Sequence, residues 1–153
     1  MNQVIDTIKN TRQHLLQLVS NLSTDQLNKI PEGFNNNIIW NLSHMVAAQQ
    51  GVCYLRAGVP LRIDEAFYLR YKPETKPESF VDSAAVEMVK KAFFTTLDQF
   101  VTDNDAGLFA NYKPWKTRYG NELQTIDDAA QFLLFHEGLH VGYVMALKHL
   151  VKH

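Results

Sequence analysis

Apolar residues recur at spacings of three and four along four stretches of the chain, the pattern of helices that bury one face. The first stretch covers about 2–22, with Val4, Ile5, Ile8, Leu15, Leu18, Val19 and Leu22 in phase. Leu27 and Ile30 then lead to Pro31 and Gly33, which break the pattern. A second helix is expected over 38–57. Asn35, Asn36 and Asn37 precede it and suit a helix start, because an asparagine side chain accepts an orphan backbone N–H. Gly58 and Pro60 stop it. The third is expected over 79–101, with Phe80, Ala84, Met88, Phe94, Leu97 and Val101 among its apolar positions. The fourth opens near Thr125, carries Asp127 and Asp128 in its first turn, where negative charge suits the helix dipole, and runs without proline to the end.

Two long connections separate these helices. One, of about twenty residues, holds Pro60, Pro73 and Pro77, and the other spans 102–124, where Gly120-Asn121 is placed to turn a short hairpin. Connections of such length are uncommon in compact domains and are often functional. The pattern predicts an all-α fold, a four-helix bundle with long crossover connections, with 1–153 forming a single domain.

Composition narrows the function classes. With 153 residues, 46% hydrophobic and 20% charged, the chain can build a packed core without staples. The single cysteine, Cys53, excludes an intrachain disulfide framework and a multi-cysteine zinc site, and reads as a small buried residue. Fifteen basic and sixteen acidic residues leave a formal charge of −1, without the basic surplus of a nucleic-acid partner. The start lacks the basic flank and apolar core of a signal peptide, and no stretch approaches ~18 consecutive apolar residues. A cytoplasmic protein without a membrane partner is the expectation.

Candidate chemistry lies in the histidines. His136-Glu137-Gly138-Leu139-His140 falls inside the fourth predicted helix, and residues four apart share one face, so both imidazoles can reach one metal ion. They lie among Phe132, Leu133, Leu134, Phe135, Val141 and Val144, where two unpaired imidazoles are costly to bury. The other reading is a pair of core or part-exposed histidines. His44, in the middle of the second helix, is the best third ligand. At roughly 100° per residue it borders the stripe of Leu42, Met45 and Val52, on a strip shared with Ala48, Gly51 and Leu55. Three histidines leave positions open for water or substrate, as catalytic sites do. His14 lies on a polar face, and His149 and His153 read as solvated residues near the C-terminus.

The same five residues match H-E-x-x-H, in which the glutamate is the general base of a metalloprotease. The third ligand expected downstream of His140 is missing, as is a strand-rich half to hold a peptide, so a protease is not expected. Glu137 remains the candidate catalytic base for a water at the ion, or else a solvent-facing helix residue. Gln49 and Gln50 either orient ligands near His44 or lie on exposed helix surface, the second being the expectation.

Asn36-Asn37-Ile38-Ile39-Trp40-Asn41-Leu42-Ser43-His44, followed about ninety residues later by His136-Glu137-Gly138-Leu139-His140-Val141-Gly142, resembles the DinB/YfiT-like superfamily over nearly the whole chain. The resemblance implies a four-helix bundle with a long crossover, commonly dimeric, with a divalent metal held by three histidines. Matched position by position, these are His44, His136 and His140. It implies chemistry less narrowly: thiol-dependent transferases or isomerases using a low-molecular-weight thiol, metal-dependent hydrolases, and members without known activity.

The expected function is therefore a divalent-metal-dependent enzyme, a thiol-dependent S-transferase or a hydrolase, acting on a small-molecule substrate. Zinc or nickel is the expected ion, with iron or manganese next, and a low-molecular-weight thiol is a candidate second cofactor. Tyr112, Lys113, Trp115, Arg118 and Tyr119 form an aromatic-basic cluster suited to an anionic substrate, or else a loop packed by its own aromatics. The alternative is a non-catalytic metal-binding or dimeric interaction protein. A homodimer is expected in either case.

Overall fold

The computed structural model describes residues 1–152. Four long helices form the frame: α1 (Asn2–Val19), α3 (Ile38–Gln49), α5 (Ser83–Asp105) and α6 (Ile126–Val151). α1 and α3 each pack against both α5 and α6, which makes a four-cornered bundle. The fold is thus all-α, as the periodicity predicts. Two short helices, α2 (Thr24–Asn28) and α4 (Glu65–Tyr71), lie in the connections, and the only sheet among the described residues is a two-stranded hairpin. Its strands, β1 (Trp115–Lys116) and β2 (Glu122–Leu123), pair Trp115 with Leu123 across the Gly120-Asn121 turn.

Local chemistry sets the boundaries. Asn37 caps α3 by accepting from the Trp40 N–H, and Thr125 with Asp128 closes a reciprocal capping box at the start of α6. A second box, Ser23 with Gln26, opens α2, an element the periodicity did not disclose. α5 begins later than expected, at Ser83, because Asp82 accepts from the Ala85 N–H. Of the apolar positions expected there, Leu97 is buried but others are not. Val86, Val89, Phe93, Leu97 and Phe100 point inward, whereas Phe80 is 59% exposed and Met88 72% exposed. Two apolar phases coexist in that stretch, and only packing against α1 and α3 selects between them.

Every residue of α3 is buried. α4, in the first long connection, covers the side that the bundle leaves open: Tyr71 is buried and clusters with Trp40 and Ala47. Beyond Gln49 the helix continues as a π-helical stretch, Gln50–Leu55, before ending at Gly58 with φ of 69°. Among the described residues, no helix is long and apolar enough to cross a membrane.

Candidate metal centre

α3 and α6 lie side by side, and their contact brings the three predicted histidines together. His136 and His140 are one turn apart on α6, and His44 faces them from α3. Their Nε2 atoms converge. That of His136 lies 3.3 Å from His44 Nε2 and 3.2 Å from His140 Nε2.

The outer ring nitrogens settle the tautomers. His44 Nδ1 lies 2.7 Å from the Tyr71 carbonyl oxygen, which only accepts, so Nδ1 donates and Nε2 keeps its lone pair. His140 Nδ1 lies 2.8 Å from Asn41 Oδ1. The Asn41 amide nitrogen donates to the Asn37 carbonyl at 2.7 Å and to Asn36 Oδ1 at 3.0 Å, which turns its oxygen toward His140. His140 therefore also presents a lone pair at Nε2. A single proton on His136 Nε2 can serve only one of its two contacts, and the other then sets lone pair against lone pair. A cation resolves the conflict. Nitrogens on a tetrahedral zinc at 2.0–2.1 Å lie roughly 3.3–3.4 Å apart, close to the observed separations. The donor set and its spacing fit a divalent ion.

Electrostatics favours the same form. Burial lowers the pKa of His44, the Tyr71 hydrogen bond partly opposes this, and the nearby Arg118 charge lowers it further. Burial, followed by the charges of His140, His44, Arg12 and Arg118, pushes His136 down to about 2. Burial and then His44 push His140 down to about 3. All three rings are neutral near pH 7, the form that ligates. Trp40 stacks on His44 with ring centroids 4.7 Å apart and planes within 9°, which fixes the imidazole plane. His136 Nδ1 is buried without a partner.

The trio opens onto a cleft of about 1220 Å³. Ala48, Gly51 and Leu55 line it beside His44, as the helical phase predicts, and the hairpin and the turn after α4 supply further walls. Of the aromatic-basic cluster, Trp115, Arg118 and Tyr119 reach the cleft. Tyr112 instead is buried: its hydroxyl donates to the Val52 carbonyl at 2.9 Å and accepts from Trp115 Nε1 at 2.9 Å. Lys113 faces solvent outside the cleft.

Glu137 does not meet the histidines. It is 1% exposed, and it does not line the cleft. Successive helix residues are about 100° apart, which turns it from the His136 face into the core. There Oε1 accepts from Arg12 Nη2 at 2.7 Å and Oε2 from Arg12 Nε at 3.1 Å. This corrects the solvent-facing reading and gives the carboxylate a partner other than a water at the ion. Gln49 and Gln50 are likewise buried, not exposed. Gln49 exchanges hydrogen bonds with Thr96 at 3.1 and 3.0 Å, and Gln50 Oε1 accepts from the Arg62 N–H at 2.8 Å. Cys53 is buried as expected, and burial pushes its thiol pKa up. His14 and His149 are exposed, and His153 lies outside the described residues.

Sequence reasoning missed Arg12, Tyr71 and Asn41 as supports of the site. Arg12 left a signal, since it occupies the apolar stripe of Ile5, Ile8, Leu15 and Val19. So did Glu137, which shares the stripe of Leu133, Val144 and Leu147. A charge in each of two apolar stripes anticipates a buried pair.

A helical bundle with three converging histidines at the floor of a cleft defines a candidate metal-centre protein. The chain belongs to the DinB superfamily, whose family model matches residues 7–144. No curated protein matches it.

Proposed function

We propose that this chain is a divalent-metal-dependent enzyme acting on a small molecule, by thiol-dependent S-transfer or by hydrolysis. The observation that carries the reading is the convergence of three neutral imidazole Nε2 atoms at the floor of an open cleft. His44, His136 and His140 would hold the ion, with zinc or nickel expected. When bound, a divalent ion supplies Lewis acidity, lowering the pKa of a water or a thiol into the neutral range. The Tyr71 carbonyl and the Asn41 amide oxygen keep the protons of His44 and His140 on Nδ1, which holds both rings in the ligating tautomer. Trp40 holds the His44 plane, and Trp115, Thr117, Arg118 and Tyr119 of the hairpin line the cleft. The donor set stops at three among the described residues, and the cleft leads directly to it. That favours a catalytic site over a closed structural one.

Elemental analysis of protein purified without a histidine tag tests the proposal, beside His44→Ala and His136→Ala variants. About one zinc, nickel or other divalent ion per chain, lost in both variants, is the expected result. No bound metal, with no uptake from added divalent salts, would overturn it and favour a non-catalytic interaction protein.

A further inference from the structure

Five arginines occur in the chain. Three are satisfied within the protein: Arg12 by Glu137, Arg62 by Asp103 and Arg70 by Ser79. The remaining two, Arg56 and Arg118, are solvent-exposed, have no hydrogen-bond acceptor or carboxylate partner among the described residues, and line the same cleft as the histidines. They come from separate parts of the fold, Arg56 just beyond the π-helical stretch and Arg118 from the hairpin.

Arg56 is held in place. Its guanidinium carbon lies 4.1 Å from the centroid of the Trp115 ring, and its backbone carbonyl accepts from the Lys113 N–H at 2.9 Å. Stacking on an indole face fixes the plane of a guanidinium while leaving its N–H edge free for a planar anion. The one carboxylate that lines the cleft, Glu74, pairs with neither arginine. Three neutral imidazoles do not offset the charge of a divalent ion. The cleft with its ion therefore carries an excess of positive charge.

We infer that the cleft receives small organic anions bearing a carboxylate separate from their metal-binding head, with Arg56 and Arg118 forming the carboxylate subsite. The inference rests on the metal reading proposed above and adds to it the class of molecule. The head of the ligand addresses the ion at the histidines, the carboxylate meets the two guanidiniums, and the body lies against Trp115, Tyr119 and Phe132. A neutral molecule of the same length leaves both arginines unpaired.

The test uses the full chain loaded with cobalt(II), whose thiolate charge-transfer absorption reports binding at the metal. The probes are ω-mercaptocarboxylates from mercaptoacetate to mercaptohexanoate, each compared with the mercaptoalcohol of equal chain length. At the best length the carboxylate probe is expected to bind about tenfold tighter than its alcohol. Arg118→Gln and Arg56→Gln are each expected to bring that ratio toward one. Lys113→Gln removes the same charge from an exposed position just before the hairpin, outside the cleft, and is expected to keep the ratio. Equal binding of the two probes by the wild type, a ratio that survives both arginine variants, an equal loss in Lys113→Gln, or cobalt that neither thiol reaches would overturn the inference while leaving metal binding intact. Failure of the wild type to take up cobalt would overturn the metal reading and this inference with it.

Discussion

Asn41 shows how much one side chain that never touches the ion can decide. Its amide nitrogen is committed to Asn37 and Asn36, so its oxygen has to face His140 and hold that ring's proton on Nδ1. Loss of such an outer partner lowers metal affinity by about 10–100-fold. Asn41→Ala is therefore expected to weaken metal binding by that factor, read by competition with a chromophoric chelator, at unchanged helical content. The buried rings also set a pH dependence. His136 and His140 titrate in the folded protein at about 2 and about 3. An unfolded chain binds those protons near pH 6.5, so between these values the unfolded state holds more protons than the native one. Their contribution is complete above about pH 6.5 and is lost as pH falls toward the folded values. Thermal unfolding of the metal-free protein is expected to shift to lower temperature between about pH 7 and pH 4. A His136→Gln, His140→Gln double variant is expected to shift less, the comparison removing the shared contribution of carboxylates.

The second bundle helix carries the site because of how it continues. Its α-helical part, Ile38–Gln49, brings His44 to the trio, and its π-helical stretch, Gln50–Leu55, lines the cleft with Gly51, Val52 and Leu55. Such stretches are rare and occur often at functional sites. Gly51 lies under Tyr68, and a Cβ there would meet the Tyr68 hydroxyl oxygen at 2.9 Å. The clash falls on the far end of a side chain that can swing away, while alanine gains up to about 1 kcal/mol of helix propensity over glycine. Gly51→Ala is thus expected to leave stability within about 1 kcal/mol of the wild type. It should nevertheless displace Tyr68 and reshape the cleft, visible as a change in ligand affinity without a change in metal content. The periodicity located this helix and its end at Gly58, but not its π-helical part, because a local change in hydrogen-bond register leaves no mark in the order of apolar residues.

All four bundle helices meet at Arg12. From α1 its guanidinium donates to Glu137 on α6, to the Phe93 carbonyl on α5 at 2.8 Å and to the Met45 carbonyl on α3 at 3.3 Å. Met45 follows His44 and Glu137 follows His136, so the pair couples the two ligand-bearing helices directly behind the metal centre. Breaking a buried ion pair by removing one partner costs about 3–5 kcal/mol, because the other charge stays buried alone. Arg12→Met and Glu137→Gln are each expected to lose stability on that order, measured by denaturant unfolding. The Arg12→Met, Glu137→Met double variant should regain much of the loss, since apolar replacements of similar volume are often tolerated. Its metal affinity then distinguishes a clamp on ligand spacing from simple support of the core.

By itself the sequence determined the four long helices, the hairpin turn and the spacing of the three histidines, because each depends on periodicity, capping or spacing that is local in the chain. Which apolar phase of α5 turns inward, that α4 encloses α3, and that Gln49 and Gln50 are buried were decided only in the folded molecule. So was the placement of Glu137. Its place in H-E-x-x-H suggests a base, yet helix rotation and the arrival of Arg12 from more than a hundred residues away make it half of a core ion pair. Long-range pairing of this kind depends on which helices become neighbours, and no local pattern encodes that.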